Sequence, residues 1–169
     1  MLTNRIYSYI VITMNKKSCT ISESELEKRT EWFIGKCRES GLKVTPQRLA
    51  IYRELLKNNE HPSAETMYSK IKQNFPGISL DTVNRTLMTL SEIGAANIVE
   101  GTGDARRYDV SKDEHQHFKC IKCKRIIDFH HKPFDDIKLP AYINKKFKVL
   151  RKTVYLEGIC DECLANSKT

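Results

Sequence analysis

The stretch PGISLDTVNRTLMTL, residues 76–90, decides the fold of this chain. Ser79 is a favourable N-cap for a helix, and Asp81 places a negative charge in the positive first turn. The predicted core face carries Val83, Leu87 and Leu90, and the opposite face carries Asn84, Arg85 and Met88. A short helix that follows another across a tight Pro-Gly turn is typical of a helix-turn-helix.

Three further helices are predicted before this stretch. Ser22 and Glu25 have the spacing of a capping box, and Thr45-Pro46 and Pro62-Ser63 are strong helix starts. Gly41 is expected to end the first helix. The apolar positions at helical spacing are Leu26, Phe33 and Cys37 in the first helix, Leu49, Tyr52 and Leu56 in the second, and Met67 and Ile71 in the third.

The hydrophobic period changes from helix to strand after Gly94. Residues 97–100 and 106–110, joined by a turn at 101–104, predict a hairpin that carries Arg106 and Arg107. Helices followed by such a hairpin form a winged helix. Further strands are predicted at 118–120, 125–129 and 147–156, with a helix-like or irregular segment between them.

These elements predict an α+β protein with two domains. We assign residues 21–110 to a winged helix-turn-helix DNA-binding domain and residues 111–169 to a small α+β domain that holds zinc. Residues 1–20 are predicted to be a disordered leader, and Met14 is an alternative start.

Composition favours a globular protein with a polyanionic partner. The chain has a formal net charge of +8, with 40% hydrophobic and 30% charged residues. An unspecialised basic surface is the alternative on charge alone. The apolar run at residues 6–12 is too short to span a bilayer, and no cleavage site of a signal peptide follows it. We therefore expect a cytoplasmic protein, with nucleic acid as its partner and without membrane association.

Four of the six cysteines form two Cys-x-x-Cys pairs, and Cys19 and Cys37 stand apart. Four soft thiolates in two such pairs suit tetrahedral Zn²⁺. The alternatives are a redox-active dithiol and unreactive cysteines. The predicted ligands of a structural zinc ion are Cys120, Cys123, Cys160 and Cys163.

A second group of polar residues surrounds the first cysteine pair. Asp109, His115, His117 and Asp128 offer imidazoles and carboxylates without thiolate, which suits Fe²⁺ or Mn²⁺. His115 and His117 are two residues apart, so both imidazoles share a face of an extended segment. A solvated polar loop at residues 112–117 is the alternative from spacing alone.

Taken together, the blocks of this sequence resemble the ferric uptake regulator family. The resemblance runs from about residue 30 to Cys163. The matching blocks are GLKVTPQR at residues 41–48, HPSAE at 61–65, TVNRTL at 82–87, Gly94, RYD at 107–109 and HQHFKCIKC at 115–123. Many blocks in the same order are far more specific than any single motif.

The resemblance implies a winged-helix domain joined to a dimerisation domain, with the four cysteines as zinc ligands. It implies a homodimer that binds a two-fold symmetric DNA operator as a repressor, and it implies no enzymatic activity. The regulatory metal ligands that it implies are His61, Asp109, His115, His117 and Asp128. A metal held from both domains would shift the population towards the DNA-competent arrangement.

Within the family, the resemblance is greatest to its peroxide-sensing branch. Asp109 and Asp128 carry the short carboxylate where many iron sensors carry glutamate, and Lys152 and Ile159 replace histidines of a further metal site. The resemblance implies that iron-catalysed oxidation of His61 or His115 releases DNA. The alternatives are an iron-responsive regulator, a zinc or manganese sensor and, outside the family, a thiol-disulfide oxidoreductase or a zinc-ribbon interaction module without a DNA partner.

The exposed face of the fourth predicted helix is the expected DNA-reading surface. Arg85 suits guanine and Asn84 suits adenine, although the family usually carries tyrosine at the position of Asn84. Thr82 lies in the same N-terminal half. Lys43 and Arg107 are predicted to contact phosphates or the minor groove, with solvated surface charge as the alternative.

Overall fold

A computed structural model describes residues 21–58, 60–99, 105–111, 115–149 and 152–166. The elements fall into two compact units, and each is described by itself. Among the residues described, the first unit contains four helices and a two-stranded sheet, and the second contains a three-stranded sheet and three short helices. The predicted leader and Cys19 lie outside the described residues.

The four helices of the first unit begin where the sequence predicts. They are α1 (Glu23–Glu39), α2 (Pro46–Leu56), α3 (Ala64–Ile71) and α4 (Leu80–Glu92). Each N-cap side chain, from Ser22, Thr45, Ser63 and Ser79, accepts a hydrogen bond from a backbone N–H three residues later. These bonds satisfy N–H groups that have no partner within the helix, so local sequence defines all four starts.

Strands β1 (Asn97–Val99) and β2 (Arg107–Asp109) follow α4 and pair antiparallel. Ile98 lies opposite Tyr108 in this register. The predicted turn at residues 101–104 is outside the described part of the chain, so the strands alone support the predicted hairpin. Gly94, in the turn after α4, has a φ of 71°, which glycine adopts without strain.

The core of the first unit is apolar and continuous from α1 to β2. Phe33 stacks on Tyr52 with ring centroids 4.3 Å apart, and both side chains are fully buried. Val83, Leu87 and Leu90 of α4 are buried as predicted. In α2 the predicted face is slightly rotated, because Ile51 and Leu55 are buried while Leu49 is half-buried. The α4 helix is therefore fixed by packing along its full apolar face.

The second unit is built on the sheet β4-β3-β5. Its strands are β3 (Gln116–Cys120), β4 (Ile126–Phe129) and β5 (Tyr155–Gly158), with β3 antiparallel to β4 and parallel to β5. The short helices are α5 (Lys132–Asp135), α6 (Ala141–Lys146) and α7 (Asp161–Ala165).

The predicted strand at 147–156 is largely wrong. Residues 147–149 and 152–154 are not in a strand, and the strand begins only at Tyr155. The stretch contains apolar and β-branched residues, but among its described residues only those from Tyr155 onward pair with β3. Strand formation depends on a pairing partner more than on propensity.

Large apolar side chains are exposed on the second unit. Tyr142 and Phe147 are 63% and 61% exposed, and Leu164 is 51% exposed. Nothing among the described helices is long and apolar enough to cross a membrane.

Candidate metal centres and nucleic-acid interface

The four predicted zinc ligands come together in the second unit. The sulfur atoms of Cys120, Cys123, Cys160 and Cys163 all lie within 4.8 Å of one another. The Sγ atoms of Cys123 and Cys160 are 3.7 Å apart. A tetrahedral ion with Zn–S bonds of about 2.3 Å would separate its sulfurs by about 3.8 Å. The four thiols therefore have the composition and the spacing of a structural metal site.

Backbone N–H groups at this site donate to a cysteine sulfur and stabilise its thiolate form. The N–H groups of Cys123 and Cys160 donate to Cys120 Sγ at 3.5 and 3.4 Å. Burial opposes ionisation of Cys120, but these donors and the N–H of Lys122 lower its pKa to about 6. Hydrogen bonding to Cys160 and burial raise the pKa of Cys163 to about 12. Four crowded sulfurs cannot all ionise without a cation, which a bound metal would supply.

Two neighbouring residues that are not among the predicted ligands shape the cluster. Lys124 adopts a φ of 62°, a left-handed conformation that lets its N–H donate to Cys120 O at 2.9 Å. Arg125 donates to Glu162 Oε1 at 2.6 Å and to Asp161 Oδ1 at 3.1 Å. Because Asp161 and Glu162 lie between the second pair of cysteines, Arg125 links one cysteine pair to the other. In the sequence, the basic Arg125 after the first pair and the acidic Asp161 and Glu162 within the second pair could have indicated this link.

Three of the predicted regulatory ligands also come together in the second unit. His117 lies opposite Asp128 in the β3–β4 register. The Nε2 atoms of His115 and His117 are 3.0 Å apart, and each lies 3.6 or 3.5 Å from Asp128 Oδ1. Ligand atoms about 2.1 Å from one ion are separated by about 3.0–3.5 Å at bond angles of 90–110°. The three side chains therefore form a compact imidazole and carboxylate donor set.

The other two predicted ligands belong to the first unit. His61 is buried and has a φ of 49°, in the left-handed region that non-glycine residues rarely adopt. Its segment lies beside β2, because Tyr108 N–H donates to Pro62 O and Arg107 Nη1 donates to His61 O, both at 3.2 Å. Asp109 Oδ1 accepts the N–H of Ser111 at 2.8 Å. A strained, buried histidine in this position agrees with a functional role, which sequence spacing did not reveal.

The predicted DNA-reading residues lie on α4 and its surroundings. Thr82 and Arg85 are exposed, and Asn84 is half-buried. Arg85 Nε donates to Asp81 Oδ2 at 2.8 Å, which orients the guanidinium along the helix. Lys43 is exposed before α2. Arg107 is half-buried and already bonded to His61 O, so it also has a structural role.

A winged-helix unit and a second unit with two metal-type donor clusters define a DNA-binding regulator with metal sites. The sequence matches the ferric uptake regulator family over residues 39–157. It is 31% identical to the peroxide-responsive repressor PerR of Staphylococcus epidermidis over 138 residues, which cover 82% of this chain and 92% of that protein.

Solved structures of similar fold support the same assignment. The ferric uptake regulator Fur of Helicobacter pylori matches with a TM-score of 0.71 and 25% identity, covering 82% of this chain and 93% of that one. The peroxide stress regulator of Campylobacter jejuni matches with a TM-score of 0.58 and 28% identity, covering 85% and 100%.

The chain belongs to the ferric uptake regulator family. It is therefore a transcriptional regulator and not an enzyme, as the resemblance implied. Members of this family bind DNA, form dimers and bind metals.

Proposed function

We propose that the protein is a homodimeric, metal-dependent repressor that binds a two-fold symmetric DNA operator and responds to peroxide. The observation that carries this proposal is the donor set of His115, His117 and Asp128, whose ligand atoms lie 3.0–3.6 Å apart. In a family of DNA-binding regulators, we expect the signal to act on a metal ion that these three side chains hold.

The two donor clusters suit different ions. We assign Zn²⁺ to Cys120, Cys123, Cys160 and Cys163, because four thiolates at tetrahedral spacing favour a soft, redox-inert ion. We assign Fe²⁺ or Mn²⁺ to the regulatory ligands, because imidazole and carboxylate donors suit these exchangeable ions. The proposed regulatory ligands are His61, Asp109, His115, His117 and Asp128.

The proposed regulatory ligands are divided between the two units, and this division is the physical basis of the switch that we propose. His61 and Asp109 belong to the DNA-binding unit, and the other three belong to the second unit. An ion held by both favours one arrangement of the units and can shift the equilibrium only by its differential affinity for that arrangement. We propose that this arrangement is the one that binds the operator.

Two observations favour peroxide as the signal. The relative in Staphylococcus epidermidis is named a peroxide-responsive repressor, and the chain matches 92% of its length. Both carboxylate ligands here are aspartates. Bound Fe²⁺ would supply the one-electron reduction of peroxide beside the ligand imidazoles. His61 and His115 are the side chains that we expect to be oxidised, with loss of their metal affinity and release of DNA.

The proposed DNA contacts follow from exposure on the first unit. Arg85 and Asn84 on α4 would read bases, with Thr82 beside them. Lys43 and Arg107 would contact phosphates. Asp81 holds Arg85 at 2.8 Å in the free protein, so the guanidinium is partly oriented before it meets a base.

The proposed dimer uses the second unit. Tyr142, Phe147 and Leu164 are each more than half exposed. Contiguous exposed apolar surface marks association sites in soluble proteins, and we propose that these side chains contribute to such a surface. We place the dimer in the cytoplasm, where its DNA target lies.

The decisive experiment compares Mn²⁺-loaded and Fe²⁺-loaded protein on an operator selected from a random duplex pool. We expect both forms to bind tightly, and micromolar peroxide to abolish binding of the Fe²⁺ form alone. Mass spectrometry should then detect one added oxygen on a peptide that contains His61 or His115. The zinc content, measured on the same samples, controls for damage to the thiolate cluster.

Other outcomes separate the alternatives. Fe²⁺-dependent binding that survives peroxide would identify an iron-responsive regulator. Binding that depends on added Zn²⁺ or Mn²⁺ and is insensitive to peroxide would identify a sensor of that metal. Binding unchanged after removal of the regulatory ion, with zinc retained, would contradict the proposal. Zinc-free protein with two alkylatable dithiols would favour an oxidoreductase.

Arg85→Ala and Lys43→Ala test the DNA contacts against each other. Arg85→Ala should weaken operator binding by about 1–3 kcal/mol and leave non-specific duplex binding nearly unchanged. Lys43→Ala should weaken both to a similar degree and reduce the salt dependence. Equal effects of Arg85→Ala on the two duplexes would remove Arg85 from the base-reading set.

A further inference from the structure

His130 lies beside the regulatory cluster, although it is not among its predicted ligands. It directly follows β4, and its side chain is exposed. The ring centroids of His130 and His115 are 6.0 Å apart, with ring planes at 56°. A third imidazole therefore lies close to a pair that is already positioned for metal.

The strand register places His130 on the ligand face of the sheet. His117 pairs with Asp128, and Gln116 pairs with Phe129. One more step of the antiparallel register puts His115 opposite His130. Side chains alternate between the faces of a strand, and directly opposed residues share a face. His130 consequently shares the face of His115, His117 and Asp128.

The neighbouring histidine shows the opposite orientation. His131 is the next residue along the chain, and its ring packs against Phe134 with centroids 4.8 Å apart. The backbone N–H of His131 donates to the side-chain Oε1 of Gln116 at 2.8 Å, and Gln116 lies on the face away from the cluster. Two adjacent histidines thus differ in environment, and only one faces the donor set.

Ring spacing agrees with a shared ion. Two imidazoles bound to one ion by bonds of about 2.1 Å have centroids about 4.5–6.5 Å apart, depending on the bond angle. The separation between His115 and His117 is 4.5 Å, and that between His115 and His130 is 6.0 Å. Both values fall in this range. Exposed rings change rotamer on a picosecond to nanosecond timescale, so His130 can adjust to an arriving ion.

We propose that His130 is a further metal ligand, which together with His115, His117 and Asp128 allows the second unit to hold a divalent ion without His61 and Asp109. This inference rests on the proposed regulatory site. It gives the second unit four donors of its own, three imidazoles and one carboxylate. Metal would then bind first to the second unit and recruit His61 and Asp109 afterwards.

The test removes the ligands of the first unit and measures metal binding directly. The full-length, zinc-loaded chain carries His61→Ala and Asp109→Ala, and Mn²⁺ binding is followed by electron paramagnetic resonance and calorimetry. Co²⁺ absorption spectra report the coordination of the same site. In this background we expect His130→Ala to weaken Mn²⁺ binding at least tenfold, since loss of even an outer-shell partner commonly costs about 10–100-fold.

His131→Ala is the matched control, because it removes an adjacent imidazole from the other face. It should leave Mn²⁺ affinity and the Co²⁺ spectrum unchanged. Zinc content and circular dichroism of every variant confirm that the second unit is folded. Equal Mn²⁺ affinities of the His130→Ala and His131→Ala variants would overturn the inference.

The parent protein distinguishes this inference from the proposed function. Absence of a second ion in the zinc-loaded parent would defeat the regulatory site itself, and the inference with it. Binding in the parent that vanishes in the His61→Ala, Asp109→Ala background would keep the regulatory site and overturn only the role of His130. Binding in both, sensitive to His130→Ala, supports the two together.

Discussion

The two units of this protein are stabilised in different ways. In the first unit, apolar side chains from every helix are buried, and Phe33, Leu55 and Leu87 have no exposed surface. In the second unit, the only buried apolar residues among those described are Cys120 and Cys160, both in the thiolate cluster. The first unit is held by packing. We infer that the second depends on polar contacts and on a metal held by its thiolate cluster.

The small interior of the second unit contains polar side chains. Gln116, His117 and Lys119 of β3 are all buried. Small domains with so little apolar core usually need a metal, disulfides or oligomerisation. One chain can therefore combine a unit that is stabilised by its own core with a unit whose stability we expect to depend on what it binds.

Removal of zinc should have the largest effect and should be confined to the second unit. Structural zinc contributes about 10–16 kcal/mol of apparent binding free energy in zinc-finger peptides. We therefore expect Cys120→Ser, or strong chelation, to abolish hydrogen-exchange protection in β3, β4 and β5. The amides of α1 to α4 should keep their protection.

Two results would contradict this difference between the units. Unchanged protection of β3 in the zinc-free protein would mean that polar contacts suffice. Simultaneous loss of protection in α4 would mean that the units unfold together. A Cys37→Ser variant is the matched control, since Cys37 is a buried cysteine of the first unit and lies outside the thiolate cluster.

The same difference explains what the sequence could predict. The four helix starts were predicted from Ser22, Thr45, Ser63 and Ser79, because a cap is a local interaction. The core face of α4 followed from helical spacing. The thiolate cluster also followed from spacing, since two Cys-x-x-Cys pairs allow few arrangements. Local chemistry was therefore sufficient to predict the helices of the first unit and the thiolate cluster.

Non-local features could not be predicted in the same way. The strand expected at 147–156 is reduced to Tyr155–Gly158, because pairing with β3 and not propensity decides where it begins. The left-handed conformation of His61 accompanies a non-local contact, since His61 O accepts from Arg107, and that of Lys124 accompanies the bond that its N–H donates within the cysteine turn. His130 was missed because its position depends on the β3–β4 register. Whether His61 and Asp109 act as metal ligands stays a prediction.

A large-to-small change in the first core should have the second largest effect. Phe33→Ala removes a buried ring that stacks on Tyr52 at 4.3 Å. Loss of the contacts and the remaining cavity should lower the free energy of unfolding of the first unit by about 3–5 kcal/mol. Denaturant titration with tryptophan fluorescence follows this unit, because Trp32 is the single tryptophan.

Leu80→Ala is the control for this prediction, because Leu80 is 40% exposed at the start of α4. It should change the free energy of unfolding by less than about 1 kcal/mol. An effect of Phe33→Ala no larger than that of Leu80→Ala would show that the first unit is not stabilised by its core. The zinc content of both variants should equal that of the parent.

A buried amide should have a smaller effect, this time in the second unit. Gln116 accepts the N–H of His131 at 2.8 Å, and its own amide N–H donates to Asp135 Oδ1. Gln116→Ala removes both hydrogen bonds and leaves the part-buried backbone N–H of His131 without this acceptor. The zinc-loaded second unit should lose about 1–3 kcal/mol of stability, measured by hydrogen exchange at β3. Asn144→Ala, which removes an exposed amide of α6, should have no measurable effect.

The smallest effect is expected at the N-cap of α4. Ser79 Oγ accepts the N–H of Thr82 at 3.1 Å, and no apolar surface is lost when the hydroxyl is removed. Ser79→Ala should therefore lower the stability of the first unit by only about 0.5–2 kcal/mol. Ser69→Ala within α3 is the matched control and should be neutral or slightly stabilising, since alanine favours a helix interior. If Ser79→Ala reduced zinc affinity or β3 protection as well, the stabilities of the two units would be coupled, and the separation between packing and metal would no longer hold.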